Sequence, residues 1–161
     1  MEIDKAGGEL DNLIERFVIT TSGEIELVKE ILSVASKFVQ VYQDGTVEIV
    51  KTDIGDKEKV FLVILSRYLA YKINELKGKE VVKSTEPTTT VEQIASILGK
   101  DPKAIAARLS ELHKEGIVKK TSKGVYTIYS LSKALDYLKE ISLKSNKVKE
   151  KYKNRGVRNE K

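Results

Sequence analysis

Apolar residues recur along this chain at two periods, and the changes of period divide it into elements. Leu10, Leu13, Ile14 and Phe17 fall three and four residues apart. That spacing predicts a short helix after an unpatterned, frayed stretch from Met1 to Gly8. Thr21-Ser22-Gly23 breaks it, and Ser22 is placed to cap a second helix. In that helix Ile25, Val28, Ile31, Leu32, Ala35 and Val39 form one stripe. Glu24 and Glu26 lie in its first turn, where the helix dipole favours negative charge. The period then falls to two. FVQVYQ and TVEIVK flank Asp44-Gly45, a pair suited to a turn with positive φ. This predicts a β-hairpin with Val41, Val47 and Ile49 facing a core.

From Asp56 to about Lys77 the period returns to that of a helix. Val60 to Leu65 is an unbroken apolar run, so the first turns have almost no polar face and must be buried on most sides. Tyr68, Leu69, Ile73 and Leu76 continue a narrower stripe. Lys77-Gly78-Lys79 ends it. Residues 78–88 read as a linker containing Pro87, with a short extended piece at Val81-Val82.

Two shorter helices follow. Thr89-x-x-Glu92 and Thr90-x-x-Gln93 are alternative registers of a capping box for a helix from about Thr90 to Leu98. Gly99 ends it where a left-handed backbone is cheap. Asp101 caps the next helix and Pro102 occupies its first position, where a missing N–H costs nothing. That helix runs to about Glu115, with Ile105, Leu109 and Leu112 inward. Lys103, Ala104, Ala107, Ser110, Glu111 and Lys114 lie on its outward face, and Arg108 lies on its flank. Gly116 closes it. Ile117 to Lys120 and Val125 to Tyr129 predict a second hairpin with Thr121 to Gly124 as its tip. Leu131, Leu135 and Leu138 predict a last helix, capped by Ser130, that frays near Asn146 into a mobile cationic tail. An alternative keeps that helix intact, with Ala134, Leu138, Ile141, Val148 and Tyr152 as a dimer seam. The chain is therefore mostly α in the α+β class.

Composition narrows the chemistry. Forty per cent apolar residues support a real core, and 33% charged residues suit a soluble chain. There is no cysteine and only one histidine, His113, so disulfides, thiolate metal sites and a histidine base are not expected. No signal peptide is visible. The longest apolar run, six residues, falls far short of the ~20 that a membrane span needs. A cytoplasmic, nucleoid-associated protein is expected. No phosphate loop, nucleophile elbow or paired-carboxylate motif is present, so no enzyme, cofactor or metal is expected.

The net charge of +5 conceals a gradient. Residues 1–55 hold five basic and eleven acidic side chains, residues 56–143 sixteen and eleven, and residues 144–161 eight and two. An acidic region, a basic body and a basic tail follow one another, at 1–55, 56–143 and 144–161. Such asymmetry speaks about partners rather than about the fold.

AARLSELHKEGIVKK, followed by a turn and VYTIY, resembles the recognition helix and wing of winged helix-turn-helix proteins, and is similar to small archaeal and bacterial transcriptional regulators. The resemblance spans about forty residues directly, from Thr88 to Tyr129, or about ninety, a winged helix-turn-helix domain at 56–143, if the long helix from Asp56 is its first helix and Leu131 to Leu143 its last. It implies binding to duplex DNA, with the helix at 102–115 in the major groove and the wing at 117–129 on the backbone or minor groove. On that reading Thr88, Thr89, Thr90 and Lys103 take phosphates near helix N-termini. Lys119, Lys120 and Lys123 place cations on the wing, and Arg108 and Lys114 add contacts. The recognition face of Ala104, Ala107 and Ser110, with Ala106 beside it, departs from a base-reading pattern. It lacks Asn, Gln or Arg squarely on it, so phosphates should dominate with modest sequence preference.

Blander readings stand beside these. Arg108 can simply pair with Glu111, Glu115 or Glu92. The three wing lysines can be a solvated hairpin edge. The whole module can be a protein-docking adaptor whose acidic N-terminal region meets a protein partner, or a low-specificity architectural binder of nucleic acid. A homodimer formed through the N-terminal part and last helix is expected.

Overall fold

The computed structural model describes residues 2–83 and 86–159, with side chains described for 7–83 and 86–146. The protein is mostly helical with two small antiparallel sheets, an α+β arrangement. The first helix, α1, spans Glu2–Phe17 and so includes much of the stretch expected to be frayed. Its Leu10, Leu13, Ile14 and Phe17 are all exposed.

The second helix, α2 (Thr21–Ala35), is capped by Thr20, not by Ser22. The Thr20 hydroxyl accepts from the Gly23 amide at 3.1 Å. The break therefore falls at 18–20, a few residues earlier than predicted. Val28, Ile31 and Ala35 of α2 are buried. Strands β1 (Val39–Val41) and β2 (Val47–Ile49) form the first hairpin in the register Val39↔Ile49 and Val41↔Val47. Val39 and Val47 are buried, while Val41 and Ile49 are half-buried.

Helix α3 (Asp56–Lys77) is the centre of the molecule and ends at Gly78 as predicted. Every residue from Val60 to Leu65 is completely inaccessible. Each such side chain contributes about 1.5–3 kcal/mol of hydrophobic stabilisation before chain entropy is counted. It can be buried all round because elements cover it from different parts of the chain. The hairpin β1–β2 and α2 pack on it, as do three later elements: α4 (Val91–Leu98), α5 (Pro102–Lys114) and β5 (Val125–Ile128).

A two-residue strand, β3 (Thr89–Thr90), was not foreseen. It pairs with β5, which also pairs with β4 (Val118–Ser122), giving the order β3-β5-β4. Ser122 pairs with Val125 across a bulge, so the tip of this hairpin is shorter than the four residues predicted. Val81-Val82 forms no strand.

The last helix, α6, spans Leu131–Asn159 without interruption, so the backbone does not fray at Asn146. Only one glycine, Gly156, lies in that stretch, and its many Lys residues are good helix formers. Side chains of the seam positions Val148 and Tyr152 lie outside the described residues. α6 packs along α2, and its Tyr137 ring meets Phe61 of α3 edge-on, centroids 4.7 Å apart. One continuous apolar core thus runs from Val28 of α2 through α3 to Ile141 of α6. The acidic N-terminal region and the basic body share it. No described helix is long and apolar enough to cross a membrane.

Candidate nucleic-acid interface

The helix pair α4–α5 is built by local chemistry. Thr90 caps α4: its hydroxyl accepts from the Gln93 amide at 3.1 Å, while the Gln93 side chain accepts from the Thr90 amide at 2.9 Å. Of the two possible capping registers, this is the one used. Gly99 ends α4 in the left-handed conformation. Asp101 then caps α5, its carboxylate accepting from the Lys103 amide at 3.0 Å. Ile105, Leu109 and Leu112 are buried beneath α5.

Residues Lys103, Ala104, Ala106, Ala107, Ser110 and Lys114 are exposed on the other side of α5. The opposite faces of the helix therefore divide as the periodicity requires. Lys119, Lys120 and Lys123 are exposed on the β4–β5 hairpin. None of these five lysines has a carboxylate within ion-pair distance among the described residues. The half-buried Arg108 pairs with Glu111 at 3.0 Å, one of the partners anticipated for it. His113 is exposed, with Nδ1 3.4 Å from the Val118 carbonyl.

The hairpin tip folds towards the start of α4. The Val91 amide donates to the Gly124 carbonyl at 3.0 Å, and Thr90 stands opposite Val125 in the sheet. The tertiary structure thus brings the first turn of α4 beside the tip that carries Lys123. β4 joins the far end of α5 through the Ile117 amide, which donates to the Leu112 carbonyl at 3.0 Å.

The threonines do not stand as phosphate ligands in the way expected of them. Thr89 is completely buried in β3, with its hydroxyl unpartnered, so its side chain cannot touch a phosphate. Its pairing with Tyr126 of β5, not its distance from the helix, goes with this burial. Thr90 spends its hydroxyl on the Gln93 amide, and the Thr88 hydroxyl donates to Glu86 at 3.3 Å. The helix N-termini are also occupied internally. The Thr90 hydroxyl, the Gly124 carbonyl and the Asp101 carboxylate already accept from first-turn amides, and the Asp101 carboxylate would repel an approaching phosphate. Lysine ammonium groups stand exposed in this region, at positions 103, 114, 119, 120 and 123.

Among the described residues, no group of three His, Cys, Asp or Glu side chains is placed to hold a metal ion. A cavity of about 340 Å³ lies elsewhere, between α2, β1 and α3. The apolar periodicity of the sequence does not reveal it. Its signal was the run of small residues, Ala35, Ser66 and Ala70, at helix positions that face inward. No family model, curated protein or solved structure matches this chain.

Proposed function

We propose that residues 56–143 form a winged helix-turn-helix domain, and that the protein binds duplex DNA through α5 and the β4–β5 hairpin as a transcriptional regulator. The observation that carries this reading is the set of five exposed lysines, at positions 103, 114, 119, 120 and 123, without carboxylate partners among the described residues. Unpaired ammonium groups neutralise phosphates and release the counterions that DNA holds. The exposed alanines of α5 allow its backbone to approach a groove closely but supply no bidentate base contacts. Pairing of two copies belongs to the same proposal, since α1 leaves Leu10, Leu13, Ile14 and Phe17 exposed. Sedimentation should then show a dimer.

The test is the salt dependence of affinity for duplex DNA. Each phosphate contact adds about 0.9 to the slope of log K against log salt. Replacing Lys119, Lys120 and Lys123 together by Ala should weaken binding and flatten the slope by about 2–3. Glu111→Gln, which frees the Arg108 guanidinium, should strengthen binding. Micromolar or weaker affinity of the native protein at low salt, or an unchanged slope in the triple variant, sinks the proposal.

The exposed Ala104, Ala106 and Ala107 favour a second reading, a low-specificity architectural binder. Occupancy mapped along the genome separates the two. A few sharp sites support regulation, and broad coverage supports architecture.

A further inference from the structure

We propose that the recess between α2, β1 and α3 binds a neutral, largely apolar small molecule about the size of a one- or two-ring aromatic. The recess holds about 340 Å³, within the size range of small-molecule sites. It exists because Ala35, Ser66 and Ala70 are small where larger side chains would have filled the layer between α2 and α3, and no described side chain takes the space. Leu32, Val39, Val41, Leu69, Ile73 and Val82 complete most of its wall.

The lining sets the chemistry of the ligand. No charged side chain contributes to it, so an ionised ligand would lose its hydration without compensation. Ser66, only 2% exposed, donates its hydroxyl to the Val63 carbonyl at 2.8 Å and keeps its acceptor lone pairs. It can take one hydrogen bond from a ligand hydroxyl or N–H. Tyr42 already gives its hydroxyl to Glu48.

The walls are also held in place beforehand. β1 is paired to β2, and Val82 is fixed to α3 by two hydrogen bonds with Asn74, whose Nδ2 donates to the Val82 carbonyl and whose Oδ1 accepts from the Val82 amide. A ligand therefore meets a preformed site and need not order it. A helix from another molecule is a poorer occupant. A helix is about 10 Å across, whereas Ala35, Val39, Leu69 and Ala70 are each at most 5% exposed, so only a single side chain could reach them.

The experiment is a titration of the isotopically labelled full chain with 2-naphthol, followed by amide resonances and by contacts between ligand protons and protein methyls. The expected result is saturable shifts at Ala35, Val39, Leu69, Ala70 and Val82, with direct ligand contacts to the Ala70 and Val39 methyls. Naphthalene-2-sulfonate, the charged analogue, should bind at least about tenfold more weakly. Ser66→Ala should weaken naphthol about threefold to tenfold, the range for one lost hydrogen bond. Ala70→Phe and Ala35→Phe fill the recess and should abolish binding. The proposal is overturned by the absence of saturable shifts or of methyl contacts. It is equally overturned by shifts confined to Leu10 to Phe17, or by undiminished binding in a folded filled variant. A dimer that both filled variants break would instead assign the recess to a second copy. The readout involves no nucleic acid, so its failure is distinct from failure of the DNA proposal.

Discussion

The Asn74 side chain encloses the backbone of Val82. Its Nδ2 donates to the Val82 carbonyl at 2.7 Å, and its Oδ1 accepts from the Val82 amide at 3.1 Å. The same oxygen accepts from the Val81 amide at 2.8 Å. One side chain near the end of α3 thus serves in place of the sheet partner that Val81-Val82 lacks. Asn74→Leu strands two amides and a carbonyl and is expected to cost about 2–3 kcal/mol in urea denaturation. Asn74→Asp keeps the acceptor but loses the donor and should fall between. A loss below about 0.5 kcal/mol for Asn74→Leu would mean that water replaces the clamp.

The same linker presses on the first hairpin. Gly45 has φ of +93°, and a Cβ there would lie 2.4 Å from the Lys83 carbonyl oxygen. Gly78 also has positive φ, +64°, but nothing lies within 4 Å of its Cβ position. Gly78→Ala should therefore cost about 1–2 kcal/mol through backbone strain alone. Gly45→Ala adds a backbone collision to that strain and should cost roughly 1 kcal/mol or more beyond it. Equal losses, measured by denaturant midpoints, would remove the linker from the account.

Thr89 is fully buried with an unpartnered hydroxyl, so Thr89→Val replaces an unsatisfied polar group by a methyl of similar shape. A gain of up to about 1 kcal/mol is expected and, on the proposed DNA-binding reading, unchanged affinity for DNA. Weakened DNA binding in this variant would restore Thr89 to the interface.

Alkaline pH should reveal Tyr137. Burial pushes its phenol far above the ordinary value of 10.0, and Glu58 and Glu115 act in the same direction. Below pH 10 both folded and unfolded chains hold the proton, and its stabilising effect is complete. As pH rises past 10, the unfolded chain ionises first, and stability falls. The hydrogen bond from Lys72 to Glu24 raises the lysine above 10.5, so that contribution is also lost in the alkaline range. Tyr137→Phe is expected to match the native chain at pH 7 within about 0.5 kcal/mol and to lose less stability above pH 10. Parallel stability curves in that range would contradict the burial of the phenol.

Features of the candidate interface that depend on neighbours in the chain were legible beforehand. Asp101, Pro102 and Gly99 placed the ends of α4 and α5, and Ile105, Leu109 and Leu112 fixed which side of α5 faces outward. The cap of α2 was harder, because Thr20 and Ser22 both carry a suitable hydroxyl. The register starting at Thr21 is the one that occurs, and it buries Val28, Ile31 and Ala35. The accessibility of Thr89 was not legible at all. It follows from pairing with Tyr126, thirty-seven residues away.

The sequence by itself determined the long helix at Asp56–Lys77, the Asp-Gly hairpin, the capped helix pair and the cations that follow it. Each of these rests on periodicity or capping between residues a few positions apart, which spacing encodes directly. Only the tertiary structure decided the burial of Thr89, the clamp of Asn74 on Val82, the meeting of Val91 with Gly124, and the space left beside Ala70. Those depend on which distant atoms face one another once α3 is enclosed, and no local pattern carries that information.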